Sequence, residues 1–157
     1  MRVWRLCLRA HAAFDGEGAR LFGGRWNPRG VALVYTSATA SLAVLESLVH
    51  VDPEDDPGDR VFVAADLPED VSMTSVSVKS LAHDWRSATA PESLQAVGLS
   101  WARARKTAVL AVPSAILPWE SNYLLNPAHS DFARVKIGKP EPFAFDRRLL
   151  KKPHRSP

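Results

Sequence analysis

Runs and alternations of apolar residues divide the chain into short strand-like pieces joined by long polar connections. Residues 3–8 alternate loosely and predict an edge strand. The continuous run Val31-Ala32-Leu33-Val34-Tyr35 has the pattern of a strand buried on both faces. Residues 61–65 and 108–112 read the same way, the second stopped by Pro113. Thr74, Val76 and Val78 alternate as a further strand, and the stretches Asn122-Tyr123-Leu124-Leu125-Asn126-Pro127 and Phe143-Ala144-Phe145 supply the last strand-like pieces.

Helical spacing appears twice. Residues 41–50 predict a helix capped by Ser37 or Thr39, with Pro53 preventing much extension. Thr89-Ala90-Pro91-Glu92 has capping-box spacing, and Leu94, Val97 and Trp101 follow at helical intervals. Between the first strand and the run at 31–35, glycines punctuate what reads as one long loop. Long structured loops inside compact domains are frequently functional. Strands and helices do not alternate strictly, so the expected architecture is a single compact α+β domain rather than a doubly wound sheet.

Composition narrows the function classes. The chain has 157 residues, 46% of them hydrophobic and 24% charged, which fits one globular domain and excludes bulk disorder. No window approaches the roughly 18 consecutive apolar residues of a membrane span. The start Met1-Arg2-Val3-Trp4-Arg5 lacks the apolar run and cleavage site expected of a signal peptide. Cys7 cannot pair internally and, flanked by Leu6 and Leu8, is expected to be a buried, inert thiol. A reducing cytoplasm fits best. The net charge is only +3, with basic residues gathered at Arg147, Arg148, Lys151, Lys152 and Arg155 and an acidic counterweight in Asp52-Pro53-Glu54-Asp55-Asp56. The expected division is a domain over residues 1–150 and a basic tail over 151–157. With no RNP or helix-turn-helix pattern, direct nucleic-acid binding is not expected. His11, His50, His83, His129 and His154 show no metal-ligand spacing, so no metal is expected either.

Several residues look out of place. Leu42, Leu45, Glu46 and Val49 share one helical stripe, which sets a carboxylate among apolar positions. Either it makes a structural ion pair or lies at an exposed helix edge, or it is held in a dry cleft. In Gly23-Gly24-Arg25-Trp26-Asn27-Pro28, the glycines permit close backbone approach and Arg25 offers a planar fork suited to diphosphate or carboxylate. Trp26 and Asn27 could stack on and hydrogen-bond a flat ring; a glycine turn with a packing tryptophan has the same composition. The stretch is neither a P-loop nor a dinucleotide fingerprint. Tyr35 ends a buried strand as either a core tyrosine or a hydroxyl at a cleft mouth. Ser114 follows another strand end without a Gly-x-Ser-x-Gly elbow.

Taken in order, the blocks Gly23-Gly24-Arg25-Trp26-Asn27-Pro28-Arg29-Gly30, Val34-Tyr35-Thr36-Ser37, Leu42-Ala43-Val44-Leu45-Glu46-Ser47-Leu48-Val49-His50, Val112-Pro113-Ser114, Asn122-Tyr123-Leu124-Leu125-Asn126-Pro127-Ala128-His129 and Phe143-Ala144-Phe145-Asp146-Arg147-Arg148-Leu149 resemble the RES domain. That family is the toxin half of bacterial RES–Xre toxin–antitoxin pairs. The resemblance implies a fold similar to ADP-ribosyltransferases and diphtheria-type toxins, with NAD as substrate rather than cofactor and inorganic phosphate as a possible co-substrate. It also implies a cognate Xre-like helix-turn-helix antitoxin. Cleavage of NAD by phosphorolysis or hydrolysis is the first expectation, and transfer of ADP-ribose to a protein the second. The resemblance places Arg25, Tyr35 and Glu46 in the catalytic pocket. It adds Arg5, Trp26, Asn27, Ser114 and Asn126 as NAD-binding residues.

Overall fold

The computed structural model describes residues 1–51 and 58–150. The acidic run, Pro53 and the tail over 151–157 lie outside the described residues. In chain order the regular elements are β1 (Arg2–Leu8), α1 (Glu17–Phe22), β2 (Val34–Ser37), α2 (Ala40–Leu48), β3 (Arg60–Asp66), β4 (Met73–Ser75), α3 (Glu92–Ala104), β5 (Val109–Pro113), β6 (Ser121–Leu125), β7 (Lys136–Ile137) and β8 (Glu141–Phe143). Short 3-10 turns fill several connections.

The strands form one eight-stranded sheet in the order β4-β5-β6-β2-β1-β3-β7, with β8 also on β3. Among the described residues, only β4 and β5 pair in parallel. Mixed α+β architecture is therefore observed. β1 is not the edge strand its loose alternation predicted: it sits between β2 and β3, pairing with β3 from Arg2↔Asp66 to Leu8↔Arg60. Its alternation is weak because both of its faces are partly covered. β7 and β8 share the outer side of β3 and differ in register by one residue: Ala65 pairs with Ile137, but Phe62 pairs with Glu141. One extra residue is thus accommodated between them, as in a β-bulge.

Period-two burial divides the interior into two cores. Val109 and Leu125 point to one, with Val3, Val61, Val63 and Ala65. Leu110, Val112 and Leu124 point to the other, where Trp26, Trp85, Leu94 and Trp101 pack. α3 covers this second core through Leu94, Gly98, Trp101 and Ala102. Its first turn is not capped by Thr89; the helix begins after Pro91, whose ring suits the extended backbone there.

Other local expectations shift. The apolar run at 31–35 gives only a strand from Val34 onward, extending to Ser37, and the alternation at 74–78 gives a strand only to Ser75. Thr39, not Ser37, caps α2, accepting the Leu42 amide at 3.1 Å. The glycine-rich loop contains the six-residue helix α1, which starts after Gly16 and ends at Gly23. Gly23 has φ +75 and ψ −177, a conformation open essentially to glycine alone, and it turns the chain toward the site.

Candidate functional site

A cleft of about 910 Å³ opens between the Gly23–Gly24 turn, the middle of β1, the C-terminal part of β2 and the C-terminal half of α2. Arg5, Arg25, Tyr35, Glu46 and Asn122 line it. The size lies within the range usual for small-molecule sites.

Glu46 comes from the last part of α2. Leu42 and Ala43 bury the first part of that helix, whereas Val49 is 60% exposed at the cleft rim. The apolar stripe expected from spacing therefore runs out of the core, and the half-buried Glu46 occupies the transition. Its Oε1 accepts two hydrogen bonds, from Ser114 Oγ at 2.7 Å and from Asn122 Nδ2 at 2.5 Å. Oε2 has no hydrogen-bond partner among the described residues. The carboxylate is fixed at one oxygen and presented at the other.

Ser114 is fully buried just beyond β5. Its hydroxyl also accepts the amides of Ile116 and Leu117, at 3.1 and 3.0 Å. One donor and two acceptor positions are all that a hydroxyl has. Ser114 is thus saturated by the protein and acts on the cleft through Glu46.

Arg25 contributes positive charge from the opposite wall. Its Nη1 donates to Trp85 O and its Nη2 to Ser87 O, both at 2.9 Å. Three of the five guanidinium hydrogens remain for other acceptors. Arg5 reaches the same cleft from β1, its Nη1 donating to the Tyr35 carbonyl at 3.5 Å. Arg5 Nε is buried without a hydrogen-bond partner among the described residues. The protein thus leaves this cleft-lining guanidinium incompletely satisfied, which favours an anion beside it.

Tyr35, on β2, holds the turn rather than offering its hydroxyl. It donates to Asn27 Oδ1 at 2.6 Å and accepts the Trp26 amide at 3.0 Å. Burial pushes its pKa well above the ordinary tyrosine value, opposed in part by the Trp26 amide and the Arg25 charge. Asn27 is fully buried, its amide shared among the carbonyls of Ala19, Pro28 and Val31. Trp26 borders the cleft but is only 2% exposed, its ring packed in the core beneath α3. Both residues brace the turn: the Asn27 side chain is taken up by hydrogen bonds within the protein, and the Trp26 ring is almost entirely covered by the core. Gln95 on α3 adds a bond to the Gly24 carbonyl at 3.0 Å.

Asn126 does not join the cleft. It is 1% exposed at the far end of β6, donating to Ala102 O at 2.9 Å, so it fastens the end of α3. Cys7 is half-buried rather than buried and lines the cleft. Among the described residues, no group of three or more His, Cys, Asp or Glu side chains is placed to hold a metal. No helix among them is long and apolar enough to cross a membrane.

Residues 2–146 match the family model of the RES domain, nearly the whole chain. The chain belongs to the RES domain family. A protein named Prs ADP-ribosylating toxin, from Sphingobium sp. (strain YBL2), is 37% identical to this RES domain over 155 residues, covering 95% of this chain and 96% of its own length. A Toxin Res from Yersinia enterocolitica is 34% identical over 152 residues, covering 95% of this chain and 99% of its own. A chain of the crystal structure of the M. tuberculosis MbcT-MbcA toxin-antitoxin complex superimposes with a TM-score of 0.76 at 18% identity. That match covers 90% of this chain and 83% of the other, and establishes a shared fold.

In this RES domain, the residues that sequence reasoning passed over are Ser37 and Asn122. Ser37 Oγ donates to Asn122 Oδ1 at 2.7 Å, and Asn122 in turn donates to Glu46. Both lie within the blocks that carry the family resemblance, but only the strand register Ser37↔Asn122 shows that they meet.

Proposed function

We propose that this RES domain cleaves the nicotinamide–ribose bond of NAD and serves as the toxin of a toxin–antitoxin pair. The observation that carries this reading is Glu46, anchored at Oε1 and open at Oε2, in a cleft that also presents two arginines. Nicotinamide leaves NAD as a neutral base, so little general acid is required and the transition state is oxocarbenium-like. A carboxylate fixed beside the ribose stabilises that developing cation, an effect strongest where water is scarce. Arg25 and Arg5 supply charge-assisted donors for the diphosphate or for an attacking phosphate. The C–N bond to nicotinamide breaks with its electron pair on nicotinamide. The acceptor oxygen bonds to C1 of the ribose and releases its proton.

Phosphate or water as acceptor gives phosphorolysis or hydrolysis. A protein side chain as acceptor is the second reading, favoured by the name of the Sphingobium relative, an ADP-ribosylating toxin. In either case the fold would be of the ADP-ribosyltransferase kind, the site of action the cytoplasm, and the cognate partner an Xre-like antitoxin. Purified protein incubated with NAD, with and without phosphate, should release nicotinamide; no release under either condition, nor with lysate protein added, would refute NAD cleavage. Label from adenylate-labelled NAD found on protein would select the second acceptor, and label on small molecules the first.

A further inference from the structure

We infer that Ser37 and Asn122 are positioning residues that hold the Glu46 carboxylate in its working orientation. The kinetic consequences rest on the NAD-cleaving reading; the hydrogen-bond geometry does not.

Three neighbouring strands build the arrangement. β6 lies between β2 and β5, and its Asn122 pairs across to Ser37 on one side and Val112 on the other. Ser114 lies two residues past Val112, so the ends of two adjacent strands each send one donor to Glu46 Oε1. The last torsion of a glutamate is broad and roughly two-fold, so a single donor leaves the two oxygens free to exchange places. Two donors on the same oxygen, arriving from separate strands, define the plane of the carboxylate. They leave Oε2 as the oxygen available to the cleft.

The Asn122 amide has the same weakness, since its terminal torsion is also broad. Ser37 removes it. Ser37 is 5% exposed, and its hydroxyl donates to Asn122 Oδ1 at 2.7 Å. An ionised carboxylate accepts only, so the amide must turn its NH2 toward Glu46 and its oxygen toward Ser37. The Ser37 bond thus reinforces the orientation that Glu46 requires and polarises the amide so that it donates more strongly. Ser114 is braced differently, by the backbone amides of Ile116 and Leu117. The two supports of Glu46 are independent, and neither Asn122 nor Ser37 need touch the substrate.

The test uses the whole protein, with Ser37→Ala, Asn122→Ala, Asn122→Asp and the double variant Ser37→Ala/Asn122→Ala. Loss of a hydrogen-bond partner of a metal ligand typically lowers activity about 10–100-fold, and the same order is expected for a partner of a catalytic carboxylate. Asn122→Ala should show a fall of that order in kcat with little change in KM. Ser37→Ala should fall less, and the double variant should be no worse than Asn122→Ala alone, because Ser37 acts through Asn122. Asn122→Asp restores the packing but not the donor, so it should be at least as impaired as Asn122→Ala. The side-chain amide signals of Asn122, read by 15N NMR, should move on Ser37→Ala and on Glu46→Gln.

Wild-type kcat in Asn122→Ala, full recovery in Asn122→Asp, or additive losses in the double variant would overturn the assignment while leaving NAD cleavage intact. If the unaltered protein released no nicotinamide, the reading of function would fall instead, and the NMR signals would decide the positioning. Amide signals indifferent to both substitutions would overturn it.

Discussion

Gly98 on α3 faces the Trp26 carbonyl so closely that a β-carbon at this position would lie 1.7 Å from its oxygen. The helix and the arginine-bearing turn are therefore in backbone contact. In an ordinary helix, Gly→Ala stabilises by about 0.5–1 kcal/mol. Here the sign should reverse. Gly98→Ala should cost roughly 1–3 kcal/mol, the usual penalty of overpacking, and displace the turn. Urea denaturation checks the stability, and an unchanged or raised midpoint would show that α3 can shift without strain.

Glu46→Gln keeps an oxygen for the bonds from Ser114 and Asn122 but removes the charge. The fold should survive. Nicotinamide release from NAD should fall on the order of 10²–10³-fold, the loss typical of removing one electrostatic stabiliser of a transition state. Matched circular dichroism with near-normal turnover would mean that another group carries the reaction.

Arg25→Lys keeps the charge and loses the fork. A single ammonium cannot reproduce the paired bonds to the Trp85 and Ser87 carbonyls while still offering a planar face to a ligand. NAD cleavage should drop by at least about tenfold, equivalent to about 1.4 kcal/mol of transition-state stabilisation. Full activity would show that only positive potential is needed at this position.

Tyr35 gives a pH signature. Burial raises its pKa, so the folded protein keeps the phenolic proton when the unfolded chain, titrating near the ordinary value of about 10, releases it. The folded state then binds more protons, and stability declines as pH rises above about 10. The contribution is complete below that pH. Tyr35→Phe should remove this component of the alkaline decline. It should also cost about 1–3 kcal/mol at neutral pH by stranding the Trp26 amide and Asn27 Oδ1. Denaturation curves at pH 7 and pH 10.5 for both proteins test the two parts, and parallel alkaline losses would exclude Tyr35 as the titrating group.

Much of this was legible in advance where the cause is local. The apolar runs located the central strands, and the helical spacing of Leu42, Leu45 and Glu46 placed a carboxylate on α2. What remained hidden depends on pairing at a distance. Nothing local to residues 2–8 reveals that β1 is flanked on both sides. α1 is only six residues long and bounded by glycines, so its span reads as loop. Trp26, Asn27 and Asn126 have side chains suited to binding a flat ligand, but burial spends those groups on the scaffold. Ser37 meets Asn122 across 85 residues of sequence, through strand register alone.

The segment carrying Trp85 and Ser87 does more than receive Arg25. Between them, Arg86 donates to the carbonyls of Ala115 and Ile116, at 2.8 and 3.4 Å, on the other wall of the cleft. The two walls are therefore stitched together by three consecutive residues. An anion bound to the Arg25 hydrogens that the stitch leaves free shares the guanidinium with this segment, and thermodynamic reciprocity requires that any factor by which binding changes the order of the segment be the factor by which that order changes ligand affinity. Residues 85–87 are thus a built-in reporter of occupancy, whose protease sensitivity or amide exchange would register a bound ligand without any turnover.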